Sequence, residues 1–89
     1  MRLYFNDDLI HPRPEEGDVL AAFEHLRRSR EARLELRRGE DSCLSVSREG
    51  GLGFSVALRR PDGVFGVRMA EPFAEHVAGA LRDYLWAEA

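Results

Sequence analysis

The sequence predicts one α+β domain over residues 1–89, with the element order β-α-β-β-β-β-α and a mostly antiparallel sheet that carries two helices on one face. Four runs in the middle of the chain alternate apolar and polar residues, which is the period of a half-buried strand. Two other segments repeat apolar residues at spacings of three and four, which is typical of amphipathic helices. A length of 89 residues with 44% hydrophobic content supports one modest core.

The N-terminal part is predicted to hold a short strand, a proline loop and a helix. Residues 2–5 alternate, and the polar Asn-Asp-Asp segment that follows is expected to end the strand. Two prolines favour irregular structure over residues 11–17, because proline lacks an amide donor and restricts the residue before it. Asp18 is then expected to cap a helix over residues 19–29.

The middle of the chain is predicted to be a meander of four strands, over residues 32–38, 43–47, 54–59 and 65–69. Turn residues separate them, most clearly in the glycine-rich segment 50–53. Since every strand alternates, the sheet has one apolar and one polar face. Two helices, the second over residues 72–86, are expected to be just enough to cover the apolar face. The polar face is then open, with Arg33, Glu35, Arg37, Ser45, Ser47, Ser55, Ala57, Arg59, Gly66 and Arg68.

Composition narrows the classes of function and partner. All 13 basic residues are arginine, which excludes lysine-based chemistry such as Schiff-base formation. The single cysteine, Cys43, cannot form an intramolecular disulfide, so we expect a cytoplasmic protein. No apolar run has the length of a signal peptide or a membrane helix, so no membrane partner is expected. A net charge of −3 disfavours nucleic acid as a partner.

Catalytic chemistry is not visible in the sequence. His11, His25 and His76 form none of the short spacings that hold metals or build catalytic pairs. Cys43 and the serines lack the sequence context of an activated nucleophile. We therefore expect no enzyme activity, no metal and no cofactor.

The charge distribution is uneven along the chain. Residues 1–26 carry six acidic residues and two arginines, whereas residues 27–38 carry six arginines and two glutamates. Acidic loops can steer a basic protein partner, although plain solvation explains the same residues equally well. The candidate partner-binding residues are Asp7, Asp8, Glu15, Glu16, Asp18, Arg33, Arg37 and Trp86.

Three segments carry a family resemblance that spans about residues 14–86. They are the helix around residues 18–26, the pattern L-x-L-x-x-G-x-x-x-x-L-x-V over residues 34–46 with the glycine hairpin after it, and the terminal A-L-x-x-Y helix. This arrangement resembles small bacterial immunity proteins encoded beside deaminase-type and other nucleic-acid-modifying polymorphic toxins. The resemblance implies a non-catalytic inhibitor that binds a cognate toxin domain in the cytoplasm and occludes its active site during interbacterial competition.

A second hypothesis comes from the predicted sheet itself. An open sheet face or an unpaired edge strand is a ready surface for self-association. The alternative function is therefore a small homodimeric regulatory or scaffolding module whose partner the sequence does not identify.

Overall fold

A computed structural model describes residues 1–87 and shows a six-stranded antiparallel sheet with two helices. Its elements are β1 (Arg2–Phe5), β2 (Asp8–His11), α1 (Glu16–Arg27), β3 (Ala32–Arg38), β4 (Ser42–Arg48), β5 (Phe54–Arg60), β6 (Gly63–Met69), a 3-10 turn (Glu71–Phe73) and α2 (Ala74–Trp86). The strand order is β2-β1-β3-β4-β5-β6. The predicted α+β class and the four-stranded meander β3 to β6 are confirmed.

Strand β2 is an addition to the predicted order. The chain was expected to leave the sheet at residues 6–8, but it turns back and pairs with β1, with Phe5 opposite Asp8. Asn6 and Asp7 both have positive φ, at 49° and 68°, as the two central residues of a type I′ hairpin turn require. Asparagine and aspartate tolerate this conformation better than other non-glycine residues, so the segment that was expected to stop the strand is the turn of a hairpin.

Helix α1 begins three residues earlier than predicted. Glu15 is the residue before the first turn, and the side chain of Asp18 accepts a hydrogen bond from the Glu15 backbone N–H at 2.9 Å. The two residues form a reciprocal capping box, in which the Glu15 side chain accepts a hydrogen bond from the Asp18 backbone N–H in return. Asp18 therefore stabilises the helix start from within the first turn.

The core lies between the helices and the centre of the sheet. Leu34, Leu36 and Val46 are fully buried, and the rings of Phe23 and Phe54 pack with centroids 5.4 Å apart. The expectation that two helices suffice to cover the apolar face is wrong at β6. Phe65 and Val67 lie on the apolar side of the sheet, yet 59% and 55% of their surface stays exposed.

A buried arginine joins the end of the sheet to the helix layer. Arg48 donates hydrogen bonds to the carbonyl oxygens of Arg27 at the end of α1 and Gly51 in the β4–β5 turn, both at 2.8 Å. Its guanidinium also lies 2.9 Å from the carboxylate of Glu71 and over the ring of Phe54. Arg48 thus satisfies one carbonyl group at the end of a helix and one in a turn.

The β1–β2 turn yields a stability prediction. Replacing Asp7→Gly is expected to stabilise the protein by about 0.5 kcal/mol, because glycine adopts positive φ without strain and Asn-Gly is the preferred type I′ pair. Asn6→Gly is the contrasting variant. The side chain of Asn6 accepts a hydrogen bond from the Arg33 backbone N–H at 2.9 Å, and its loss is expected to cost about 1 kcal/mol. Urea unfolding of both variants measures these effects. Destabilisation by Asp7→Gly would contradict the type I′ assignment, and an Asn6→Gly variant as stable as the parent protein would contradict the hydrogen bond to Arg33.

Candidate functional site

The open face of the sheet, away from both helices, gathers arginines from four of the six strands. Cross-strand pairing places Arg33 opposite Ser47, Cys43 opposite Arg59 and Ser55 opposite Arg68 on this face. The arginines of the open face are Arg2, Arg33, Arg37, Arg59 and Arg68. All the residues predicted for the polar face lie on it. The arginines of this face come from segments that are far apart in the sequence, so the basic run at residues 27–38 did not reveal that they cluster.

Glu35 is the one acidic side chain that the strands contribute to this face among residues 1–87, and it is buried, with 4% of its surface exposed. Arg37 donates a hydrogen bond to one of its carboxylate oxygens at 3.2 Å, and the Cys43 thiol donates to the other at 3.4 Å. The guanidinium of Arg33 lies 3.6 Å from the same carboxylate. Arg37 also stacks on the Tyr4 ring, 3.9 Å from its centroid, which fixes the guanidinium beside Glu35.

The environment of Glu35 favours its ionised form. Burial acts to raise the pKa of Glu35, but the hydrogen bonds from Arg37 and Cys43 and the charges of Arg33 and Arg37 outweigh it. The pKa of this carboxyl is consequently held below its ordinary value of 4.5. At neutral pH the open face has an ionised carboxylate beneath a layer of guanidinium groups.

Cys43 is poorly suited to nucleophilic chemistry. Burial, together with the hydrogen bond to Glu35 and its negative charge, raises the pKa of the Cys43 thiol from 9.0 to about 11. The thiolate is the reactive form of cysteine, so at neutral pH the group is protonated and inert. Cys43 instead serves as a hydrogen-bond donor that helps to hold the Glu35 carboxylate.

The open face contains shallow depressions. One, of about 210 Å³, lies between Arg33, Arg59 and Ser45, with Glu35 at its base. A broader one, of about 610 Å³, extends from Asn6 along the ends of β3 and β4. A surface of this shape suits the flat surface of a macromolecule better than the enclosed volume that a small molecule requires.

The acidic residues predicted as one contact region lie in two separate places. Asp7 and Asp8 are exposed at the β1–β2 turn, whereas Glu15, Glu16 and Asp18 follow the opposite end of β2, about 10 Å further along at 3.3 Å per residue. Asp18 is held by the capping box and lies 3.6 Å from the His11 ring nitrogen. The structure therefore brings Arg33 and Arg37 together around Glu35, but it does not bring the five acidic residues together.

Trp86 lies beside the acidic residues at the start of α1. The indole is 66% exposed, and its N–H donates a hydrogen bond to the Glu16 carboxylate at 2.8 Å. This bond joins the end of α2 to the start of α1. The neighbouring aromatic residue, Tyr84, is buried, hydrogen-bonded to Ser42 and covered by Arg38.

Two histidines share a groove that the sequence did not predict. His11 and His25 line an open apolar groove of about 330 Å³ between β2 and α1, together with Phe5, Ile10 and Asp18. His25 packs edge-on against Phe5, with centroids 5.0 Å apart. Within residues 1–87, no three His, Cys, Asp or Glu side chains are placed to hold a metal ion.

Comparison with known proteins identifies no relative, because the chain matches no family model, no curated protein and no solved structure. The resemblance to immunity proteins thus stays a prediction. Neither helix of the described part of the chain has the length and apolar character needed to cross a membrane.

The Glu35 cluster predicts a pH-dependent contribution to stability. Glu35→Gln is expected to destabilise the protein at pH 7 by about 1–3 kcal/mol, because it removes charge-assisted hydrogen bonds and leaves Arg37 without its counter-ion. The folded-state pKa of Glu35 is lowered, so its contribution is complete above the unfolded pKa near 4.5 and is lost as pH falls through the folded-state value. Urea unfolding of both proteins between pH 2 and 7 should show the two stability curves converging in acid, and a constant difference would contradict the ionised assignment.

The raised pKa of Cys43 predicts slow alkylation. At pH 8 we expect the native thiol to react with iodoacetamide about a hundredfold more slowly than a thiol of pKa 9, because its thiolate fraction is smaller by that factor. The rate should continue to rise up to about pH 11. The same chain in urea is the control, and equal rates in the native and unfolded states would show that the thiol is neither buried nor bonded to Glu35.

Proposed function

We propose that this protein is a non-catalytic protein-binding module that uses the open face of its sheet, and that it acts as an immunity protein whose partner is a toxin domain. The observation that carries the proposal is the arginine layer on that face, built on rigid paired strands. The choice of a toxin domain as the partner rests on the resemblance to immunity proteins in the pattern over residues 34–46 and in the terminal helix.

The geometry of the arginines supports binding to an acidic protein surface. Arg2, Arg33, Arg59 and Arg68 are exposed on four different strands, and the one carboxylate among them is buried and already paired. Arginine is enriched in protein interfaces because its planar guanidinium makes paired hydrogen bonds to carboxylates. An acidic patch on the partner, beside the active site that the module occludes, is the complementary surface.

The strand backbone makes this face rigid, which lowers the entropic cost of binding. Arg37 is held by Glu35 and Tyr4, and Arg68 donates a hydrogen bond to Ser55 at 3.2 Å. Asp7, exposed in the β1–β2 turn, supplies opposite charge at the margin of the surface, whereas Asp8 pairs with Phe5 on the helix side of the sheet. Such margins set the orientation and the association rate more than the affinity.

The alternative function, a homodimeric regulatory or scaffolding module, concerns a different surface. Strand β6 has an unpaired outer edge and exposed apolar side chains. The open face and this edge overlap only along β6, so the two functions are compatible in one protein.

Growth rescue tests the immunity function. Co-expression with the toxin domain encoded beside this gene is expected to restore growth of cells that the toxin alone arrests, and the two proteins should co-purify. The variant Arg59→Glu should weaken the complex by about tenfold or more and abolish rescue, because it places a carboxylate against an acidic patch. Arg59 is exposed and lines the depression beside Arg33.

The matched control is Arg82→Glu, which makes the same charge change on the exposed side of α2 in the helix layer. It should bind and rescue like the parent protein. Absence of both rescue and a complex with the parent protein would refute the immunity function. Loss of rescue in Arg82→Glu with normal rescue in Arg59→Glu would move the binding surface to the helices.

A further inference from the structure

The two edges of the sheet are built differently. Strand β2 has four residues, its pairing with β1 is interrupted by a bulge, and Pro12 follows it directly. Short length, bulges and prolines are the devices that normally prevent an edge strand from pairing with another chain. Strand β6 has seven residues in unbroken register with β5 and contains no proline. Its single charged residue is Arg68.

Strand β6 also exposes apolar side chains on both faces of the sheet. Val64 is 67% exposed on the open face, while Phe65 and Val67 are more than half exposed on the helix side. Apolar surface grouped along one unpaired strand, unlike apolar residues scattered singly, is typical of an interaction site.

We propose that β6 pairs antiparallel with β6 of a second copy of this chain, with Gly66 opposite Gly66 of the partner subunit on the two-fold axis. This inference rests on the alternative function, since it supplies an interface for the homodimer, and it is independent of the toxin. The paired strands would join two sheets into one continuous sheet of twice the width.

The backbone supports this register. Arg60 and Gly63 close a two-residue hairpin and therefore form a hydrogen-bonded pair. Since such pairs alternate along antiparallel strands, the backbone N–H and C=O groups of the odd-numbered residues of β6 are hydrogen-bonded to β5. The N–H and C=O groups of Val64, Gly66 and Arg68 consequently point away from β5. Pairing centred on Gly66 sets these backbone groups opposite those of Arg68, Gly66 and Val64 of the partner subunit, respectively. It is also the one symmetric register in which all seven residues of β6 overlap with their counterparts.

The side chains are self-complementary in the same register. Phe65 meets Val67 of the partner subunit on the helix side, where apolar cross-strand pairs stabilise a sheet. Arg68 meets Val64 of the partner subunit and has Asp62 of the partner subunit as its diagonal neighbour. A register centred on residue 68 would place the two copies of Arg68 against each other, which like-charge repulsion disfavours.

The symmetry has a geometric result for the open face. A two-fold axis perpendicular to the sheet keeps both open faces on the same side and both helix layers on the other. The arginine layers of the two copies then form one surface. Pairing of a single strand buries less than the about 1,600 Å² of a standard interface, so we expect a dissociation constant in the micromolar range.

Sedimentation equilibrium of the full chain over about 1–300 μM tests the dimer, because this range spans a micromolar dissociation constant. The weight-average molecular mass should rise with concentration from 10.1 kDa toward twice that value. Gly66→Glu places two carboxylates opposite each other at the axis and should weaken the dimer by about tenfold or more at low salt. The new side chain has room within one copy, since a Cβ at Gly66 meets only the Val56 carbonyl oxygen at 3.6 Å.

The controls separate charge from size. Gly66→Ala adds the same Cβ without charge and should dimerise like the parent chain. An equimolar mixture of Gly66→Glu and Gly66→Arg should restore dimers as a heterodimer, because only this register places the two side chains opposite each other. Circular dichroism of each variant verifies the fold.

A parent chain that stays monomeric over the whole range would overturn the proposal. A dimer that Gly66→Glu leaves intact, or that the mixed charges do not restore, would overturn the register. Growth rescue is measured separately, so loss of rescue with an intact dimer refutes the immunity function alone, and rescue by a strict monomer refutes the dimer alone.

Discussion

One packing constraint governs this fold: two helices are too narrow to cover a sheet of six strands. Neighbouring strands lie about 4.8 Å apart and packed helices about 8–10 Å apart, so a pair of helices covers about four strands. Helices α1 and α2 pack on β3 and β4, where Leu34, Leu36 and Val46 are fully buried. The core is therefore deep at the centre of the sheet and thin at β6, where Met69 packs against it but Phe65 and Val67 stay exposed.

The opposite face is organised by one buried carboxylate. Glu35 lies on the polar side of β3, and the chain buries it with arginine, tyrosine and cysteine side chains from β1, β3 and β4. An ionised group at this depth is stable only with partners that donate hydrogen bonds to it, so the arrangement of Arg33 and Arg37 above it is constrained. Local electrostatics thus hold the arginines of a solvent-facing surface in defined positions.

Alternating residues and turn residues were sufficient to predict the four-stranded meander and which of its side chains lie on each face of the sheet. Both features depend only on residues that are neighbours in the sequence. Strand β2 was missed since Asn6 and Asp7 were interpreted as strand terminators, whereas both adopt positive φ and form a hairpin turn. The burial of Glu35 could not be predicted, because it requires Tyr4 to pair opposite it from a strand that α1 separates in sequence. The acidic residues were grouped by their proximity in the sequence, but β2 separates them along its length.

The insertion of α1 between β1 and β3 has a consequence for how the chain folds. The β1–β2 hairpin and the β3 to β6 meander each form from neighbouring segments, and the pairing of β1 with β3 is the long-range closure that joins them. Contacts distant in sequence form late, because closing a longer loop costs more entropy. The hairpin is held by four cross-strand pairs with β3 and by the hydrogen bonds of Asn6 to Arg33. We therefore expect the amides of this hairpin to exchange with solvent by a smaller opening than those of β3 and β4, which lie at the centre of the sheet.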